Sequence, residues 1–140
     1  MIKQSFCLGL WLLVGILPVE ADGIVGPISS IRDGDTFTIG DTSIRLCGID
    51  APENGEPGWL DAAHALQELT RDRTVHCVQV GNGTVCDGRS KPTNYNRIVA
   101  QCFVGDLDIA AYLAEAGLVC DWIRFSGGHY SADGKAERCP

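Results

Sequence analysis

Four side chains that could do chemistry lie close together in residues 31–53, which have the sequence IRDGDTFTIGDTSIRLCGIDAPE. Three are the carboxylates of Asp35, Asp50 and Glu53, and the fourth is the guanidinium of Arg45. Carboxylates suit a hard metal ion, and a carboxylate can also act as a base toward water. A guanidinium can hold phosphate oxygens through parallel hydrogen bonds. The segment therefore predicts metal-dependent chemistry on a phosphodiester.

Two strands and the loop that follows them must position these side chains. β-Branched residues on either side of a Gly-Asp pair predict a hairpin of Thr36–Ile39 and Thr42–Cys47. The proline- and glycine-rich segment Gly48–Gly58 predicts a loop. Alternation along the second strand places Arg45 and Cys47 on one face of the hairpin.

The rest of the chain predicts further short strands and two helices. An amphipathic helix is expected over Gly58–Arg71, and a shorter helix that ends near Gly117 follows the last long strand. The remaining predicted strands are Ile24–Ile31, Thr74–Val80, Arg97–Val104 and a last extended or strand segment, Leu118–Ile123. This order predicts an α+β, mainly β domain with a closed five-stranded Greek-key barrel of the OB-fold type.

The first 21 residues are expected to be a signal peptide, which leaves one domain over residues 22–140. Lys3 precedes the apolar run Phe6–Leu17, and Val19-Glu20-Ala21 fits a cleavage pattern. The alternative is an uncleaved membrane anchor, although the apolar run is short for a bilayer span.

Cysteine number and charge limit the possible functions. Removal of the signal peptide removes Cys7 and leaves six cysteines, an even number that indicates a disulfide framework in an oxidising compartment. No C-x-x-C pair is present, and the histidines lie at no ligand spacing to the cysteines, so we expect no zinc site. The net charge of −7 opposes general binding to nucleic acid, so any such activity must rest on a local site.

Three motifs together resemble the staphylococcal nuclease (thermonuclease) family. They are DGDT at 33–36, RLCGIDAPE at 45–53 and Tyr95-Asn96-Arg97. Members of that family carry D-G-D-T, R-L-x-x-[VI]-D-x-P-E and Y-G-R in this order, and the resemblance covers about Ile28–Phe125. It implies an OB-fold and a calcium-dependent endonuclease that acts on DNA, RNA or both. The glycine of Y-G-R is Asn96 here, a residue that tolerates left-handed backbone.

The resemblance assigns roles to eight residues. The calcium ligands would be Asp35, Asp50 and the backbone carbonyl of Ala51, and the catalytic side chains would be Arg45, Glu53 and Arg97. Magnesium is the alternative metal. Tyr95 and Phe125 would lie beside the substrate nucleotide, with ordinary packing inside the barrel as the alternative. The segment Ser126–Pro140 is too short and too rich in glycine for the long final helix of the family.

The predicted strands suggest one of the fifteen possible cysteine pairings. Cys77 and Cys102 lie on neighbouring predicted strands, a bond between Cys120 and Cys139 would fix the tail, and Cys47 then pairs with Cys86 by elimination. We expect a secreted or periplasmic monomer that has no stable association with membranes after signal removal. The alternative function is a secreted OB-type module that binds nucleic acid or protein with weak catalysis or none.

Overall fold

The computed structural model describes residues 23–140, so the predicted signal peptide lies outside the described residues. The strands are β1 (Ile24–Gly26), β2 (Ile28–Asp33), β3 (Thr36–Ile39), β4 (Thr42–Leu46), β5 (Ile49–Asp50), β6 (Val75–Gln79), β7 (Thr93–Asn94), β8 (Arg97–Val104), β9 (Leu107–Asp108) and β10 (Cys120–Asp121). The helices are α1 (Trp59–Thr70), α2 (Ile109–Glu115) and α3 (Ile123–Ser126), and a 3-10 helix covers Ala132–Gly134. The protein is thus a mixed α+β fold made mainly of strands.

Most strands belong to one sheet with the order β1-β6-β8-β4-β3-β2. Strand β8 is central, since it pairs with β6 in antiparallel and with β4 in parallel orientation, and the short strands β7 and β9 also pair with it. Strands β5 and β10 form a separate two-stranded ladder. Within residues 23–140 no pairing joins β1 to β2, so the sheet is open and the expected closed barrel is not shown.

The predicted hairpin is confirmed as β3 and β4. Gly40 in its turn has a φ of 58°, a conformation that glycine adopts without steric cost. Ile44 and Leu46 on β4 are fully buried in the core, while Arg45 between them points to the opposite face. Strand alternation therefore fixes the side of the sheet on which Arg45 lies.

Two helices pack against the sheet, α1 on β2 and α2 on β8. Helix α1 lies against β2 and buries Ala62 and Leu66, in agreement with the predicted amphipathic helix. Asp108 caps the start of helix α2, because its carboxylate accepts hydrogen bonds from the backbone amides of Ala110 and Ala111, and Gly117 follows the end of the helix with a φ of 74°. Full burial of a leucine side chain such as Leu66 contributes about 1.5–3 kcal/mol.

All three expected disulfides are present. They are Cys47–Cys86, Cys77–Cys102 and Cys120–Cys139. The second joins directly opposed residues of β6 and β8. The first lies in a small cluster with Val80 and Val99, separate from the main core, so Cys47 lies on the face predicted for it. The third bond fixes the tail, which contains no long final helix.

Among residues 23–140, none of the helices has the length and apolar composition that a membrane crossing requires.

Candidate active site

Asp35 is a buried carboxylate of the predicted site. Its carboxylate is almost completely buried, at the point where the chain enters β3. Oδ1 accepts a hydrogen bond from Thr36 Oγ1 at 2.9 Å, and Oδ2 accepts one from the backbone N–H of Ala51 at 2.9 Å. Gly34 permits this contact, because a Cβ there would lie 2.7 Å from the Cβ of Ala62 and 3.2 Å from that of Ala51. The glycine of the DGDT motif thus lets the Ala51 loop and helix α1 close over Asp35.

Arg45 lies between the two predicted metal-binding carboxylates. Its Nη2 atom is 3.2 Å from Asp35 Oδ2 and 3.6 Å from Asp50 Oδ1. The guanidinium also donates to the carbonyls of Leu46 and Ile49, the latter at 2.9 Å. These contacts fix the orientation of Arg45, whose side chain is only 13% exposed. The carboxylate of Asp50 is half-exposed, so it connects the buried pair to solvent.

Negative charge exceeds positive charge around Asp50. Burial raises the pKa of Asp50, and the nearby charge of Asp35 raises it further, while Arg45 opposes the shift. Glu53 and Glu56 contribute smaller repulsions in the same direction. A bound cation would relieve this repulsion, since an opposite charge favours the ionised carboxylate.

The donor atoms fit a hard cation in chemical type. Asp35 and Asp50 supply carboxylate oxygens, and Ala51 contacts Asp35 through its backbone amide. In the part of the chain that the structure describes, no three His, Cys, Asp or Glu side chains form a group able to hold a metal ion. Calcium takes six to eight oxygen ligands, so binding here would require the Ala51 carbonyl and water molecules in addition.

Asp33 is a second acidic residue at this site that the prediction left without a role. Its Oδ1 accepts a hydrogen bond from the Asp35 backbone amide at 3.3 Å. Burial, followed by the interaction with Asp35, raises the pKa of Asp33 to about 6. The DGDT motif therefore contributes two neighbouring carboxylates, of which Asp35 faces Arg45.

Arg97 reaches the same carboxylate through Thr36. Arg97 Nη1 donates to Thr36 Oγ1 at 3.2 Å, and that hydroxyl donates to Asp35. The sheet explains this proximity, because Arg45 on β4 pairs with Val99 on β8, two residues from Arg97. Thr36 was not among the predicted site residues, although it is the last residue of the DGDT motif.

Glu53 lies in the exposed loop beside Asp50. The two carboxylates line the same open groove of about 310 Å³ together with Glu56. The backbone N–H of Glu53 donates to Glu56 Oε1 at 3.3 Å, and Glu53 itself is exposed. Glu53 is thus near the predicted ligands, in a position open to water.

The two predicted aromatic residues line a separate cleft of about 520 Å³, and Arg45 lines it as well. Tyr95, in the turn before β8, is 95% exposed, so the alternative of packing inside the fold is wrong for it. Phe125 packs edge to face on Trp122 at a centroid distance of 4.8 Å, and both line the cleft. The positive φ of this turn falls on Tyr95, at 56°, rather than on Asn96 as the sequence suggested.

No model of a known protein family matches this chain, and no curated protein matches it. The resemblance to the staphylococcal nuclease family therefore stays a prediction from three motifs.

Proposed function

We propose that this protein is a secreted, calcium-dependent endonuclease that hydrolyses phosphodiester bonds of DNA or RNA. The observation that supports this most is the convergence of Asp35 and Asp50 on the guanidinium of Arg45. Arg97 is tied to the same centre through a hydroxyl. The three disulfides are typical of a protein from an oxidising compartment. We also propose that the strands form a barrel of the OB type.

The two arginines would bind the phosphate and stabilise the charge that develops on it in the transition state. Arg45 needs little reorganisation, because backbone carbonyls already hold its guanidinium. Calcium held by Asp35, Asp50 and the Ala51 carbonyl would supply Lewis-acid stabilisation of a phosphate oxygen.

Glu53 would accept a proton from the attacking water. A carboxylate is a usable base at neutral pH when it lies within hydrogen-bond reach of the water. The water oxygen forms a bond to phosphorus, the P–O5′ bond breaks, and the leaving oxygen takes up a proton. The products would carry 5′-hydroxyl and 3′-phosphate ends, as the family resemblance implies.

Digestion of heat-denatured DNA tests this proposal. We expect the wild-type protein to cleave with calcium and to lose this activity with a chelator or with the Glu53→Gln substitution. Glu56→Gln is the matched control, because Glu56 is a neighbouring exposed carboxylate in the same groove. Absence of cleavage in every condition would overturn the enzyme assignment.

A binding module without catalysis is the second candidate. One observation favours it: within residues 23–140 no three His, Cys, Asp or Glu side chains form a group able to hold a metal ion. In that case calcium would leave the substrate intact, and a labelled oligonucleotide would still bind. Cleavage that requires both calcium and Glu53 would exclude this candidate.

A further inference from the structure

We infer that the cleft beside Arg45 binds single-stranded nucleic acid through three cations that the proposed reaction does not use. The cations are Arg89, Lys91 and Arg124. Arg45 also lines the cleft, so these side chains would hold phosphates beyond the one that reacts. The inference rests on the proposed function for the reaction at Arg45 and adds the class of substrate.

The charge of the cleft is opposite to that of the whole chain. The formal net charge is −7, yet the lining contains Arg45 and these three cations and no carboxylate side chain. Arg89, Lys91 and Arg124 are exposed, and within residues 23–140 none of them forms an ion pair. A groove lined with one sign of charge concentrates a polyanion, and neutralised phosphates release counterions.

Exposed aromatic rings lie among these cations. Tyr95 is 95% exposed and Trp122 is 38% exposed, and both line the cleft. Phe125 supports the Trp122 ring edge to face, and the Arg124 guanidinium lies 5.5 Å from the centre of the Phe125 ring. Bases can stack on such rings only when they are not already stacked inside a duplex. Cations interleaved with exposed rings therefore favour a single strand.

The segment that carries Arg89 and Lys91 is held in place. The Cys47–Cys86 disulfide attaches it to the end of β4, next to Arg45. The Asp87 carboxylate accepts hydrogen bonds from two backbone amides and one threonine hydroxyl of the preceding turn. The guanidinium of Arg89 lies over Gly127, where an added Cβ would be 2.6 Å from Arg89 Nε. A fixed segment loses less conformational entropy when it binds a ligand.

The test is binding of a fluorescein-labelled twelve-nucleotide single strand, followed by anisotropy with a chelator present so that no cleavage occurs. The variant is Arg89→Gln/Lys91→Gln/Arg124→Gln. The matched control is Arg73→Gln/Lys135→Gln/Arg138→Gln, which removes the same charges from exposed positions outside the cleft. Circular dichroism of each variant checks its fold.

We expect the cleft variant to bind roughly 100-fold more weakly at 0.1 M salt. The slope of log K against log salt should become smaller by about 2, since each lost phosphate contact on a single strand contributes about 0.7. The control should keep the wild-type slope. Equal slopes for the cleft variant and the control would overturn the inference.

Two further ligands decide between a nucleic-acid groove and a general anion surface. A twelve-base-pair duplex and an abasic strand of the same length should both bind more weakly than the single strand, because neither offers free bases for stacking. Equal affinity for all three ligands would overturn the inference. The two proposals can be overturned separately. If the protein binds the single strand but never cleaves it, only the proposed reaction is overturned. If the protein cleaves, but the cleft variant keeps the wild-type salt slope, only the proposed binding by the cleft is overturned.

Discussion

Substitution of Thr36 by valine should weaken both the fold and the proposed activity. Thr36 is 2% exposed, and its hydroxyl accepts a hydrogen bond from Arg97 and donates one to Asp35. Valine has nearly the same shape, so Thr36→Val removes both hydrogen bonds without opening a cavity. A buried acceptor left without its donor costs about 1–3 kcal/mol, and Asp35 is a charged acceptor. We therefore expect a loss of about 2–3 kcal/mol in the free energy of unfolding.

The assay is urea unfolding followed by tryptophan fluorescence. With an m value of about 1–3 kcal/mol per molar urea, the midpoint should fall by about 1 M. Arg97 would also lose its fixed orientation beside Arg45. Calcium-dependent cleavage should then fall about tenfold, which corresponds to about 1.4 kcal/mol in the activation free energy.

Thr38→Val provides the control. Thr38 lies two residues further along β3, on the same face of the strand, and its hydroxyl makes no hydrogen bond to any of residues 23–140. This substitution should change the free energy of unfolding by less than about 0.5 kcal/mol. If the two valine variants lose equal stability and equal activity, the hydroxyl bridge to Asp35 has no special role and the reasoning is refuted.

Three other predictions concern the residues that border the cleft. Hydrogen bonds from a threonine hydroxyl and two backbone amides lower the pKa of Asp87 to about 2, so its stabilisation is complete above about pH 4 and is lost as the pH falls to 2. Asp87→Asn should lower the melting temperature at pH 5 and have little effect at pH 2; an equal loss at both pH values contradicts this. Removing the Cys47–Cys86 bond, which spans 39 residues, by a double serine substitution should cost about 4 kcal/mol in urea unfolding, and an unchanged midpoint would contradict the expectation. Gly127 and Gly128 both have a positive φ, so alanine strains the backbone at either position, but only an added Cβ at Gly127 would displace Arg89. Gly127→Ala should therefore weaken binding of the labelled single strand, and Gly128→Ala should not. Equal effects on binding would contradict the position of Arg89 beside Gly127.

The sequence predicted strands that depend on local signals. Strands β3 and β8 begin and end at the predicted residues, because runs rich in β-branched and apolar side chains meet turn residues there. Pro27 divides the first predicted strand into β1 and β2, an interruption that the apolar pattern did not reveal. Helix α3 and the two-residue strand β5 were missed as well, whereas β10 lies within the predicted segment Leu118–Ile123. Their formation depends on tertiary pairing, such as Cys120 opposite Asp50, which no local pattern encodes.

The candidate site was predictable in part for the same reason. The predicted hairpin pairs Thr36 with Arg45 and so brings Asp35 close to Arg45, and Asp50 follows Arg45 by five residues in the same motif. Arg97 could be added only through the resemblance, since its proximity comes from the register between β4 and β8. The cations of the cleft gave no sequence signal at all. Their grouping depends on how the Cys47–Cys86 bond and helix α3 place two distant segments along one groove.

Hydrolysis in ¹⁸O-labelled water, followed by mass spectrometry of the products, tests the central claim most directly. Attack by water on phosphorus should place one ¹⁸O atom in each new terminal 3′-phosphate, and only when calcium is present. The Glu53→Gln protein should yield no labelled product under the same conditions, while the Glu56→Gln protein should yield as much as wild type. Product that forms equally with a chelator, or no labelled phosphate with calcium, would contradict the assignment of this site as a calcium-dependent phosphodiesterase.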